Sequence, residues 1–142
     1  KADLLVGAVH AVPESLKKQR DAEQFTAEFM HIMERFVPSG IHILAHPFRV
    51  FRRFQLQPPQ DLYVPVARLL KEHGVAAEIN FHTNDPDPEF IRICIELGVK
   101  IAFGSDAHIM YEVGEFMPHL QLLQQAGFDG DLCDIMFPLP RI

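Results

Sequence analysis

Eight histidines in 142 residues are an ample supply of a side chain that titrates near neutral pH and ligates metals. Several stand where an apolar run ends. His10 closes Asp3 to His10, and His46 closes Ile41 to His46. Glu78, Ile79 and Asn80 close Val75 to Asn80, with His82 just beyond. Ser105, Asp106, Ala107 and His108 follow Val99 to Phe103. Imidazole nitrogen and carboxylate oxygen together are the donor set of zinc, manganese and iron. One histidine at the end of an apolar run is ordinarily a polar tip with a backbone partner. Several runs that each deliver a His, Asp, Glu or Asn make a joint pattern, and a metal centre is the chemistry it fits. The loop after His46 adds Arg49, Arg52 and Arg53, whose planar forks match phosphate oxygens. Arg49 is the nearest of the three to His46.

These residues converge only if the apolar runs are strands of one sheet. Helical patterns separate the runs. From about Asp21 to Phe36, the residues Phe25, Phe29, Ile32, Met33 and Phe36 recur at spacings of three and four and make one apolar face. Pro38, Ser39 and Gly40 end that helix. Phe48 to Gln60 reads as a loop whose Phe48, Phe51 and Phe54 pack it down or wall a pocket. Asp61 is the expected N-cap of a helix that carries Leu62, Val66, Leu69 and Leu70 and ends at Gly74. Asp87 and Pro88 read as N-cap and first residue of the next helix, which ends at Gly98. A helix from about Gly114 to Gln125 and an apolar run near Ile135 complete the chain. Repeated βα alternation implies an α/β fold with a parallel sheet or barrel and right-handed crossovers. In such folds the ligand site forms at the carboxyl ends of the strands, where the candidate residues lie. His42 shares the strand parity of His46 and is expected in the core. Cys94 falls on an apolar helix face and is expected in the core too.

The segments Gly7-Ala8-Val9-His10, Ala45-His46-Pro47, Glu78-Ile79-Asn80 and Gly104-Ser105-Asp106-Ala107-His108 resemble, in order and approximate spacing, the later motifs of the polymerase-and-histidinol-phosphatase (PHP) superfamily. The resemblance runs from about residue 3 to residue 125, and Ser-Asp-Ala-His is its most specific part. It implies the C-terminal part of a distorted (β/α)₇ TIM-like barrel, with residues 1–142 as a partial PHP domain. It implies two or three divalent metal ions (Zn, Mn or Fe) held in part by His10, His46, Asp106 and His108. Asp106 and His108 would be catalytic, Asn80 would bind substrate and Glu78 would support the ligands from behind; by their places in the sequence, Arg49, three residues past His46, is expected to bind substrate as well, and His82, two past Asn80, to support the ligands beside Glu78. The implied activity is hydrolysis of a small-molecule phosphate ester by a metal-activated hydroxide, of the histidinol-phosphatase-like type. The family's opening His-x-His pair and bridging Glu have no counterpart in this sequence. The chain is therefore expected to be a portion of a longer protein, inactive by itself. Two other readings stand beside this one: a PHP module of a DNA polymerase, and a non-catalytic PHP-like scaffold.

Composition sets outer bounds. Thirteen Lys and Arg against nineteen Asp and Glu give −6, which argues against sequence-independent nucleic-acid binding. Apolar runs are far too short for a membrane-spanning helix. Two unrelated cysteines, Cys94 and Cys133, make no disulfide framework, and a cytoplasmic location is the expectation.

Overall fold

The computed structural model describes residues 2–13 and 22–138. Four strands form one parallel sheet in sequential order. They are β1 (Val6–Gly7), β2 (Ile43–Leu44), β3 (Ala76–Asn80) and β4 (Ile101–Gly104). Ile43 pairs with Ala76, and Ala77 to Asn80 pair with Ile101 to Gly104. The first two strands are far shorter than the apolar runs that contain them. His10 and His46 therefore sit on connecting segments rather than on regular strand.

Helices fill the intervals: α1 (Ala22–Phe36), α2 (Arg49–Arg53), α3 (Tyr63–His73), α4 (Pro88–Glu96), α5 (Met117–Gln125) and α6 (Leu132–Ile135). The face of α1 is the expected one, with Phe25, Phe29 and Met33 buried. Asp21, its expected start, lies outside the described residues. Gly40 in the left-handed region (φ 96°) turns the chain out of the short 3₁₀ segment after α1. Asp87 caps α4 as expected, accepting from the Glu89 amide at 2.8 Å. Its other carboxylate oxygen accepts from Tyr63 Oη at 2.8 Å, which ties the starts of α3 and α4 together.

Four expectations need correction. The stretch after His46 is not all loop, because α2 forms within it. The Phe residues explain why: Phe51 is buried and meets Phe25 and Phe29 at ring-centroid distances of 4.9 Å each. Packing of that ring organises a turn that local propensity leaves open. Asp61 is not an N-cap; it lies inside a 3₁₀ turn, Gln60–Leu62, that runs directly into α3. The fifth helix begins at Met117 rather than Gly114, since Gly114 adopts φ 76° and Pro118 fits the first turn. His42 is exposed, and its Nδ1 accepts from the Leu5 amide at 3.0 Å. The second strand is too short to carry its parity back to residue 42.

The core lies on one face of the sheet. Leu44, Ala77, Ile79 and Ile101 point into a single apolar cluster with buried residues from all six helices. Cys94 is in it, as expected. The opposite face carries a small cluster of Ile43, Ala76 and Ala102 with Leu4 and Phe137 packed on it. By alternation Glu78, Asn80 and Gly104 belong to that second face. Among the described residues no helix is long and apolar enough to cross a membrane.

Candidate functional site

At the carboxyl ends of the strands a cavity of about 470 Å³ is lined by His10, His46, Arg49, Glu78, Asn80, Asp106 and His108, with Val6, Ala8 and Ala45 as its apolar wall. Four separate strand ends thus bring seven of the eight candidate residues to one space. The eighth, His82, lies against it: its ring stacks on His108 with centroids 3.9 Å apart and planes 10° from parallel.

Backbone conformation at this rim is unusual. Of the four non-glycine residues with positive φ among the described residues, His46 (33°), Thr83 (47°) and Asp106 (47°) are at the site, and Gln55 is the fourth. Such conformations cost of order 1–3 kcal/mol each and persist where the surroundings over-determine them. Asp and His tolerate the left-handed region better than most residues, and the β-branched Thr less well.

The surroundings are a hydrogen-bonded frame centred on Glu78. Its carboxylate accepts from the His46 amide at 2.9 Å and from Asn80 Nδ2 at 3.2 Å. Asn80 is buried; its Oδ1 accepts from the His82 amide at 2.9 Å, and its carbonyl accepts from Asn84 Nδ2 at 3.0 Å. Both ends of the Asn80 amide are thereby engaged in positioning the rim. Gly104 is required by the same frame: a Cβ there would lie 1.9 Å from Glu78 Oε1 and 2.6 Å from its carboxyl carbon. Any side chain at position 104 would expel the carboxylate and release the His46 amide. Burial raises the Glu78 carboxyl above its ordinary range, Asp106 adds to this, and the two donated hydrogen bonds oppose it.

His10 is exposed and His46 is buried, with ring centroids 5.1 Å apart. The Nδ1 of His46 is buried without a hydrogen-bond partner in the structure, a costly state for a polar atom. Burial lowers the basicity of His46, and Arg49 and then His10 lower it further. Arg49 reaches across the cavity, with Nη1 at 3.4 Å from Asp106 Oδ2 and Nη2 donating to Thr83 Oγ1. His108 is exposed; its Nδ1 lies 2.7 Å from the Asp106 carbonyl and its amide donates to Glu112 at 2.9 Å. Among the described residues no three His, Cys, Asp or Glu side chains form a group able to hold a metal ion. The donors share one space without making a closed shell.

Thr83 and Glu112 were not legible as site residues. Thr83 has no sequence signal of its own, and Gly104, though it heads the Gly-Ser-Asp-Ala-His segment, matters through Glu78, a neighbour that only folding supplies. Glu112 had a faint signal, standing four residues after His108. His119 is a further case. It sits under the rim, 2% exposed, with Nε2 at 3.1 Å from the Gly104 carbonyl and Phe81, Phe103 and Phe116 around its ring.

His46 and His119 make a pH prediction. Burial is the first cause that holds each below the ordinary 6.5. The unfolded chain therefore takes up protons at a pH where the folded chain refuses them, and stability falls as pH drops through that value. The melting temperature should decrease as the pH falls below about 6.5. Glu78, with its raised carboxyl, works in the opposite direction as pH falls toward its ordinary 4.5. His119→Gln keeps a donor for the Gly104 carbonyl and should flatten the slope. An unchanged slope in that variant would exclude His119 as a source.

No family model matches the chain. It is similar to a probable phosphatase of Acetivibrio thermocellus, 31% identical over 109 residues, which is 70% of this chain and 45% of that protein. Probable phosphatases of Thermoanaerobacter sp. and of Caldanaerobacter subterraneus are each 27% identical over 140 residues, or 93% of this chain, and 52% and 50% of their own lengths. The chain thus spans about half the length of the curated relatives it matches.

Proposed function

We propose that the chain is part of a metal-dependent phosphoester hydrolase of the PHP type, with the histidinol-phosphatase-like branch as its subtype. The observation that carries the proposal is the strand-end cavity, in which His10, His46, Asp106 and His108 meet Arg49. The relatives named as probable phosphatases support the reaction class. Two features of the fold favour a barrel portion over a doubly wound sheet. Strand order is monotonic, whereas a doubly wound sheet reverses at its switch point. Among the described residues the helices all pack on one sheet face, whereas a doubly wound sheet is covered on both.

The donor set fits a divalent metal in kind, and the buried, unpartnered Nδ1 of His46 is the atom that most needs a partner. His10, His46, Asp106 and His108 would hold the metals, with further ligands required from outside the described residues. Bound divalent metals supply Lewis acidity, lowering the pKa of water and neutralising charge on phosphoryl oxygens. The chain's own residues do the rest. Arg49 now neutralises Asp106; an arriving phosphate dianion draws the guanidinium onto itself and orients the ester. Glu78 and Asn80 hold the His46 and His82 amides, which fixes the rim against which the phosphate rests. His82 supports the ring of His108 by stacking.

The test is hydrolysis of an aryl phosphate by the full-length protein, with metal content measured alongside. The expected result is two or three divalent ions per molecule and activity that a chelator removes and added metal restores. A metal-free, inactive full-length protein would favour the scaffold reading. Preferential binding of DNA would favour the polymerase module.

A further inference from the structure

A second cavity, of about 350 Å³, opens beside the first and shares His10 and Arg49 with it. Its remaining polar lining is Arg52, Arg53 and Thr83, and no carboxylate among the described residues lines it. We infer that the substrate carries a second anionic group, a phosphate or a carboxylate, which Arg52 and Arg53 bind in this cavity. The inference rests on the phosphoester reading above and names the substrate class.

Three guanidinium groups lie within five residues on the short helix α2. Arg49 is three residues from Arg52 and four from Arg53, the spacings at which helical side chains are neighbours and like charges repel. Such crowding lowers stability, and it occurs in a chain whose net charge is −6. It is therefore a local concentration of cations and not a general surface property. The partners among the described residues leave much of that charge uncompensated. Arg53 Nη1 donates to the His10 carbonyl at 3.1 Å, a neutral acceptor. Arg52 reaches Asp85 only at 3.5 Å, with the two side chains 56% and 83% exposed, a pairing of small value in water. Arg49 is committed to Asp106 and Thr83 and forms the wall between the two cavities. A ligand with its ester phosphate at the strand ends would therefore place a substituent one wall away, against two guanidinium groups able to grip phosphate or carboxylate.

The experiment compares binding of three small esters to the full-length protein by calorimetry. Glycerol 2-phosphate has one anionic group, 2-phosphoglycerate adds a carboxylate, and propane-1,3-diol bisphosphate adds a phosphate. At least one of the two doubly anionic ligands should bind about tenfold more tightly than glycerol 2-phosphate, as expected for one added charge-assisted contact. The larger gain identifies the second group. The R52Q/R53Q variant should lose that preference while binding glycerol 2-phosphate as before, with an unchanged unfolding midpoint. Equal affinities for the three ligands, no binding of any of them, or equal weakening of all by the variant would overturn the inference. Because no hydrolysis is read, failure here is distinct from failure of the phosphatase reading, which the aryl phosphate assay decides.

Discussion

Asp106→Asn in the full-length protein is expected to lower phosphatase activity by about three orders of magnitude, on the order of 4 kcal/mol of transition-state stabilisation. The variant removes a charge and keeps shape. It also keeps the backbone: Asp106 sits at φ 47°, and Asn is among the few residues that accept the left-handed region readily. Asp106→Ala would mix loss of the carboxylate with backbone strain and is the poorer test. Stability should change little. The one ion pair that is lost, to Arg49 at 3.4 Å, joins side chains 24% and 36% exposed, and such pairs contribute at most about 1 kcal/mol. Activity measured alongside a urea unfolding curve separates the two effects. If the variant retains more than about a tenth of the activity, Asp106 does not have the role assigned to it.

Phe51→Ala is expected to destabilise the fold by about 3–5 kcal/mol, the usual cost of emptying a buried aromatic site. Phe51 is 1% exposed and touches rings from both sides, Phe25 and Phe29 of α1 and Phe48 before α2. Phe48 in turn meets Tyr63 and Phe90, so the cluster links α1, α2, α3 and α4. For a chain of this size the melting temperature should drop by roughly 10 °C or more. The same ring seats α2, which carries Arg49, so ligand binding should weaken in the fraction still folded. Phe51→Leu refills most of the volume and should recover much of both losses. A Phe51→Ala cost below about 1 kcal/mol would mean that α2 is not anchored through this ring.

The sequence alone determined the α/β class, the places of the strands and the existence of α1, α3, α4 and α5, because short continuous apolar runs differ from apolar residues spaced by three and four, and Asp-Pro and Gly mark helix ends. It also determined which side chains reach the strand-end cavity. Parallel βα alternation sends every strand end to one side, so a residue's place in its run foretells its place at the rim. His10, His46, Glu78, Asn80, Asp106 and His108 were legible for that reason. Tertiary structure alone decided what holds them. The Glu78 carboxylate needs the bare Cα of Gly104 beside it, and those residues are 26 positions apart in the chain but on adjacent strands. The stacking of His82 on His108, the reach of Arg49 to Thr83, and the arginine-lined cavity are likewise products of long-range packing. The helix α2 was hidden from local propensity because aromatic contacts with α1 organise it. These contacts lie in the pairing of distant segments, where free energy depends on shape and distance rather than on residue type and spacing.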